Sequence, residues 1–253
     1  MSRLLALTGA VALTGAYASG CKETESEFFI KGVASFQGTC TAQAQADQIL
    51  LFEGILDSSF RRDYTAALLF GNQLTQTDRV PDEKIRAETS RIVVQRAEVT
   101  VDSIDEQLVT SYTVPVSGFA NPTVSGEPGF GLVSVPLIDA ATGIKLGSNG
   151  VPVKVNTRVR LFGQTLGGAD VHSNEFNFLV TVCRGCLVSY DPTLNDASAE
   201  SSPNCLLPST SAPSSAPCQI GQDSAVPCAL CTSTNAYCQC ANPVQKDGAL
   251  TCL

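Results

Sequence analysis

The residues able to do chemistry in this chain are eleven cysteines and a single histidine, His172. Two cysteine pairs form CxxC knuckles, Cys183-Arg184-Gly185-Cys186 and Cys228-Ala229-Leu230-Cys231, with Cys238-Gln239-Cys240 close behind. Four thiolates on two knuckles are a zinc pattern, but residues 187–227 form a gap far longer than the ~15–20 residues of a common zinc ribbon. A redox CxxC of the thioredoxin kind opens a helix within an α/β pattern, and neither knuckle stands in one. The sulfurs therefore read as disulfide partners, with no metal or cofactor expected.

His172 lies in Gly168-Ala169-Asp170-Val171-His172-Ser173-Asn174-Glu175. Asp170, His172 and Glu175 are the types of an acid–base group or half a metal site. With no second histidine or cysteine knuckle beside them, a solvated polar loop is the preferred reading. No HExxH, G-x-S-x-G or Walker A string occurs. A pair of carboxylates for glycoside hydrolysis would meet only in the fold; Asp57, Asp63 and Glu98 read equally well as strand ends and wet faces.

The elements that position these groups begin with a leader. Arg3 supplies a short basic start, and Leu4 to Ala16 is uncharged and mostly apolar. That stretch is shorter than the roughly 20 residues of a permanent membrane helix. Ala18-Ser19-Gly20-Cys21 then resembles the lipobox of bacterial lipoproteins, with Ala18 where the family prefers Leu. The resemblance implies cleavage before Cys21, lipid on its thiol and a mature chain tied to a membrane. Lys22, in place of the Asp that retains enteric lipoproteins in the inner membrane, implies delivery to the bacterial outer membrane. An ordinary secretory signal cut after Ala16-Tyr17-Ala18 is the alternative. Parity favours lipidation: eleven is odd, and setting Cys21 aside leaves ten cysteines that can all pair.

Charge narrows the partners. The chain carries 24 acidic against 16 basic side chains, and the leader contains only one of them, Arg3. That balance argues against nucleic acid and against electrostatic docking on anionic lipid.

Beyond a short charged tether, 21–31, residues 32–188 have the texture of a β-domain. Val151, Val153, Val155, Thr157, Val159 and Leu161 fall on one face; Lys154, Asn156, Arg158 and Arg160 fall on the other. Such a period of two marks a half-buried strand. Phe176, Phe178, Val180 and Val182 repeat it within Glu175–Cys183, and Tyr64–Phe70 reads as a central strand buried on both faces. Ile49–Leu56, Ile92–Val101, Leu108–Val116 and Leu132–Ile138 are further strands, while Pro81–Glu88 and Asp139–Leu146 suit a helical turn or two. Turn residues separate them at Asn121-Pro122, Ser125-Gly126-Glu127-Pro128-Gly129, Ser148-Asn149-Gly150 and Gly167-Gly168. The expected fold is an antiparallel, immunoglobulin-like β-sandwich without the Cys…Trp…Cys hallmark, with a small barrel as the alternative.

Residues 189–253 form a cysteine-rich tail, poor in large apolar residues, that cannot order itself without staples. Cys183, Cys186, Cys205, Cys218, Cys228, Cys231, Cys238, Cys240 and Cys252 are odd in number. If all pair, one must bond Cys40, and Cys183 or Cys186 is favoured because both stand at the end of the last strand. Cys183-Arg184-Gly185-Cys186-Leu187-Val188, Cys218-Gln219-Ile220-Gly221-Gln222-Asp223, Leu69-Phe70-Gly71-Asn72-Gln73-Leu74 and the leader together resemble a group of predicted lipoproteins of myxobacteria. The resemblance implies location and architecture and no activity. The resulting expectation is a non-catalytic envelope lipoprotein, a structural module or one that binds another envelope protein or a polysaccharide. A hydrolase of envelope material using carboxylates or His172 is the alternative.

Overall fold

A computed structural model describes residues 27–36, 38–76, 89–103, 108–148, 150–189 and 217–227, with the backbone of 243–246 and 249–252. The expected site at Cys21, the helical turn at Pro81–Glu88 and Cys205, Cys228, Cys231, Cys238 and Cys240 lie outside the described residues.

The fold is all-β, and its two main sheets face each other across one core. The first sheet is four-stranded in the order β2-β1-β4-β7: β1 (Phe28–Ala34), β2 (Leu50–Leu51), β4 (Tyr64–Asn72) and β7 (Gly129–Ile138). The second has β3 (Glu53–Asp57), β10 (Phe176–Cys183), β8 (Val153–Thr165), β5 (Ile92–Ser103) and β6 (Leu108–Ala120), with the short β9 (Asp170–His172) beside β8. Neighbours run antiparallel except β3 and β10, which are parallel. The one helix among the described residues, α1 (Ala140–Leu146), falls within the expected Asp139–Leu146. Asp139 starts it by accepting a 2.7 Å hydrogen bond from the Thr142 amide, an ordinary N-cap.

Side-chain alternation builds the core. Val153, Val155, Thr157, Val159 and Leu161 are buried on β8, as are Phe178, Val180 and Val182 on β10. Thr157 can sit there because its hydroxyl donates to Phe178 O at 2.8 Å. Across the gap stand Phe28, Ile30 and Val33 of β1, Tyr64, Ala66, Leu68 and Phe70 of β4, and Val133, Val135 and Leu137 of β7. The Tyr64 and Phe178 rings, one from each sheet, lie 6.1 Å apart. Val151, read as the first inward residue of its strand, is exposed, since β8 starts two residues later.

A β-bulge redirects β5. Its inward residues are Ile92 and Val94 before the break in register at Val94/Arg96, and Ala97, Val99 and Val101 after it. The extra residue reverses the parity while keeping every large apolar side chain in the core.

The strand pairs β2–β3 and β6–β7 pass from one sheet to the other, at opposite edges. Between β2 and β3 the crossing residue is Phe52, which is 99% exposed. Between β6 and β7 the chain turns through Ser125 and Gly126, both at positive φ, with Val124 and Glu127 exchanging main-chain hydrogen bonds of 3.2 and 3.1 Å. β7 then packs so tightly on β6 that a Cβ at Gly131 would lie 2.2 Å from Phe119 O. Asn72, fully buried, ties this end together: its amide donates to Ser90 O and Ala120 O, and its oxygen accepts from the Leu74 amide.

Two boundaries differ from expectation. The sandwich begins at Phe28 rather than at 32, because Phe28 and Ile30 are core residues and pair with the end of β4. Part of the presumed tail, 217–227, also packs into the sandwich. β11 (Val188–Ser189) and β12 (Val226–Pro227) form a small parallel pair, and β13 (Pro243–Lys246) and β14 (Ala249–Cys252) an antiparallel hairpin.

Replacing Gly131 by alanine forces β6 and β7 apart at their closest approach, with an expected loss of about 2 kcal/mol of unfolding free energy, the usual scale for overpacking. Gly38, with nothing within 4 Å of its Cβ position, is the control. Urea unfolding of Gly131→Ala and Gly38→Ala checks the difference, with the second expected to match the wild type.

Candidate functional site

The residues that could do chemistry gather where β3 and β10 end side by side, Cys183 being the register partner of Asp57. Asp57 is the strand end that the sequence suggests, the last residue of β3, but it does not lie on a wet face: it is fully buried. Three main-chain amides explain how a carboxylate can be there. Oδ1 accepts from Ser59 and Gly185 at 3.0 and 2.7 Å, and Oδ2 accepts from Leu187 at 3.0 Å. Asp57 thus holds the CxxC turn onto the end of β3. Ser58 adds a second hold: its amide and its hydroxyl each donate to Cys183 O at 2.8 Å.

The pairing of the cysteines is settled within this region. Cys40 is bonded to a tail cysteine, as expected, and the partner is Cys218. Cys183 and Cys186, the favoured partners, are bonded to each other. The cause is positional. The Asp57-held turn folds Cys186 back so that its Cα is 6.0 Å from that of Cys183, whereas the Cα of Cys218 lies 5.1 Å from that of Cys40. Cys252 falls in β14, and only its backbone is described. By the loop-entropy relation the Cys40–Cys218 bond, spanning 178 residues, contributes about 5 kcal/mol.

From Cys218 the chain lies along the outer edge of β3. The Asp57 amide donates to Gly221 O at 2.9 Å, and the Asp223 amide donates to Ile55 O at 3.0 Å. Gly221 has φ of +81°, and a Cβ there would lie 2.7 Å from Phe60 Cβ, so glycine is required on both counts. The buried Gln222 reaches across to the other sheet, where its carboxamide accepts from Thr65 N at 3.0 Å and donates to Thr65 O at 2.8 Å. Asp223 accepts from the Ile55 amide and from the Tyr64 hydroxyl, both at 2.8 Å. Tyr64 reaches it because Gly54 has no side chain; a Cβ there would lie 2.4 Å from the tyrosine oxygen.

Burial governs the titration of this pair. Desolvation raises the Asp223 carboxyl above its ordinary value, against the opposing hydrogen bonds from Ile55, Tyr64 and Gln222 and the charge of Arg61. Tyr64 is raised as well, by desolvation first and then by the carboxylate it faces. Asp63 moves the other way, because the Arg61 guanidinium hydrogen-bonds to it at 2.7 Å.

Metal and acid–base chemistry fare differently here. Asp57, Cys183 and Cys186 bring one ligand atom each within 4.8 Å of one another. Both sulfurs are taken by the disulfide and both carboxylate oxygens by amides, so the cluster is occupied by its structural work. His172 is exposed on β9, with Nδ1 3.3 Å from Ser173 O. Asp170 accepts from Gln164 at 2.7 Å, and neither Asp170 nor Glu175 has a described contact with the imidazole. Asp57, Asp63 and Glu98 do not converge: Glu98 sits mid-strand on β5, 3.9 Å from Arg96 two residues earlier on the same strand.

No family model and no curated protein matches this chain. Among solved structures, the solution structure of a protein described as late embryogenesis abundant (LEA) is similar over 62% of this chain and 71% of its own, at 14% identity and a TM-score of 0.31. A likeness at that level carries no functional argument.

The raised Asp223 carboxyl sets a sign. Its contribution to stability is complete below the unfolded value near 3.8 and is lost as pH rises through the higher folded value. Asp223→Asn removes that titration. The stability of the wild type relative to Asp223→Asn is therefore expected to fall as pH rises from 3.5 and then to level off, as read by urea unfolding of both proteins across pH 3.5–7.5.

Proposed function

We propose that this chain is a lipid-anchored module of a bacterial cell envelope, with Cys21 carrying the lipid and the outer membrane as its address. The observation that carries the reading is the Cys40–Cys218 bridge. A long-range structural disulfide belongs to an oxidising compartment, which is where the leader would send the chain. The same bridge uses the one cysteine between the leader and β10, and setting Cys21 aside for lipid leaves an even number of sulfurs for pairing, which supports the reading. In the lipobox reading the Cys21 sulfur is the site of thioether formation, and two or more acyl chains at ~0.8 kcal/mol per buried methylene anchor a protein stably.

In this reading the sandwich is a rigid display module. Its role is structural or is binding to another envelope protein or a polysaccharide, and its acidic balance disfavours nucleic acid. The scattered, hydrogen-bonded carboxylates support a non-catalytic role over hydrolysis.

The test is Cys21→Ala expressed in a bacterial host. The wild type is expected to partition into the detergent phase and to take up a fatty-acid probe, and the variant to lose both properties. A variant that still partitions into detergent would overturn the proposal.

A further inference from the structure

The Cys183–Cys186 bond has a different character from Cys40–Cys218. It closes a ring of sequence separation 3 against 178, so it restrains the unfolded chain far less and does little to stabilise the fold. Its two sulfurs are also unequal: Cys183 is buried, at 3% exposure, while Cys186 is exposed. An incoming thiol can therefore approach only one of them.

The turn does not depend on the bond for its shape. Gly185 takes φ of +76°, and Asp57 holds the Gly185 and Leu187 amides while Ser58 holds Cys183 O. A backbone anchored at these points fits the disulfide and the dithiol alike. The buried sulfur also has a partner once reduced, since Leu56 O lies 3.5 Å from Cys183 Sγ and can accept from its thiol.

Beside the turn lies a cavity of about 280 Å³ lined by Ser58, Arg62, Gly143, Ile144, Gly147 and Arg184. Ser58 is the residue that holds Cys183, and Arg184 stands between the two cysteines. Two arginines, Arg62 and Arg184, line this cavity in a chain whose net charge is −8. Such a site attracts anions to the flank of the CxxC turn and favours the thiolate form of what binds there.

We propose that Cys183–Cys186 is an exchangeable disulfide that oxidises small carboxylate-bearing thiols, with Cys186 as the sulfur attacked and Arg62 and Arg184 binding the carboxylate. The substrate thiol loses its proton to water, and its thiolate attacks Cys186 Sγ. A bond forms between substrate sulfur and Cys186, the Cys183–Cys186 bond breaks, and its electron pair leaves on Cys183 Sγ, which takes up a proton. A second substrate thiolate then attacks the substrate sulfur of this mixed disulfide. The products are the substrate disulfide and a Cys186 thiolate; two thiols have given two electrons to the protein. The exchange is stoichiometric for each protein molecule, and it goes beyond the anchoring role without depending on lipid at Cys21.

The experiment treats the full chain with reduced glutathione, or with the uncharged 2-mercaptoethanol, under native conditions. Free thiols are then alkylated and located by peptide mass spectrometry. Cys183 and Cys186 are expected to become alkylated while Cys40 and Cys218 stay bonded, with a glutathione adduct on Cys186 of the wild type trapped by rapid alkylation of the Cys183 thiol released beside it. Arg62→Gln and Arg184→Gln are each expected to slow the glutathione reaction about threefold, the scale of one exposed ion pair, and to leave the 2-mercaptoethanol reaction unchanged. The proposal is overturned if the CxxC bond opens no faster than Cys40–Cys218, or if the adduct forms on Cys183. Equal slowing of both thiols by the arginine variants overturns the assigned carboxylate site.

Discussion

Two hydrogen bonds between the Gln222 carboxamide and the main chain of Thr65 complete a seam between the sheets. β1 pairs with β4 only as far as Leu68, so Thr65 lies past the end of that ladder. Its N–H and C=O still need partners, since an unpaired buried main-chain group costs as much as a lost hydrogen bond. Gln222 supplies both from a side chain whose own backbone bridges to Leu56 of the opposite sheet. Asp223 repeats the arrangement one residue later, holding Ile55 of one sheet and Tyr64 of the other. The segment also covers the outer edge of β3, which would otherwise be open to pairing with another chain.

The rest of this end of the molecule follows from that seam. Cys218 enters it under a disulfide, and Val226 leaves it buried, its amide donating to Leu187 O at 2.7 Å. Leu187 belongs to the turn that Asp57 holds, so the tail, the CxxC turn and the end of β3 form one connected body. Asp223 occupies the left-handed region with φ of +59°, a conformation that Asp tolerates better than most residues. Its raised carboxyl is a cost that the seam carries in exchange for joining two sheets with one side chain.

Much of this was legible in the sequence, where a single strand could be judged on its own. Val153 to Leu161 and Phe178 to Val182 alternate without interruption, and the structure buries the faces that the alternation marks. Asp139 before Ala140–Leu146 is a local capping signal and needs no tertiary context. With Cys21 set aside and every other thiol paired, the parity of the cysteines points to a bond between Cys40 and a tail cysteine, and that bond is present. Parity was not sufficient to choose Cys218, because that choice rests on a turn held by Asp57, more than a hundred residues away in sequence. The bulge in β5 reverses which of its residues face inward, and alternation over a longer window averages across such a reversal. Asp57 was misread as solvated for a related reason: no sequence pattern announces three main-chain amides converging on one carboxylate. Gly221 and Asp223, two residues that accept positive φ within three positions, were the one signal in the tail that a tight, packed turn lay there.

The central claim is that residues 217–227 are part of the sandwich rather than an appendage stapled to it. Native-state hydrogen exchange tests it directly at the amides of Ile55, Asp57 and Thr65, whose hydrogen-bond acceptors are Asp223, Gly221 and Gln222. These three are expected to exchange only through global unfolding, at the rate of core amides such as that of Val99. Exchange at Ile55, Asp57 and Thr65 that is orders of magnitude faster, while Val99 stays protected, would contradict the account.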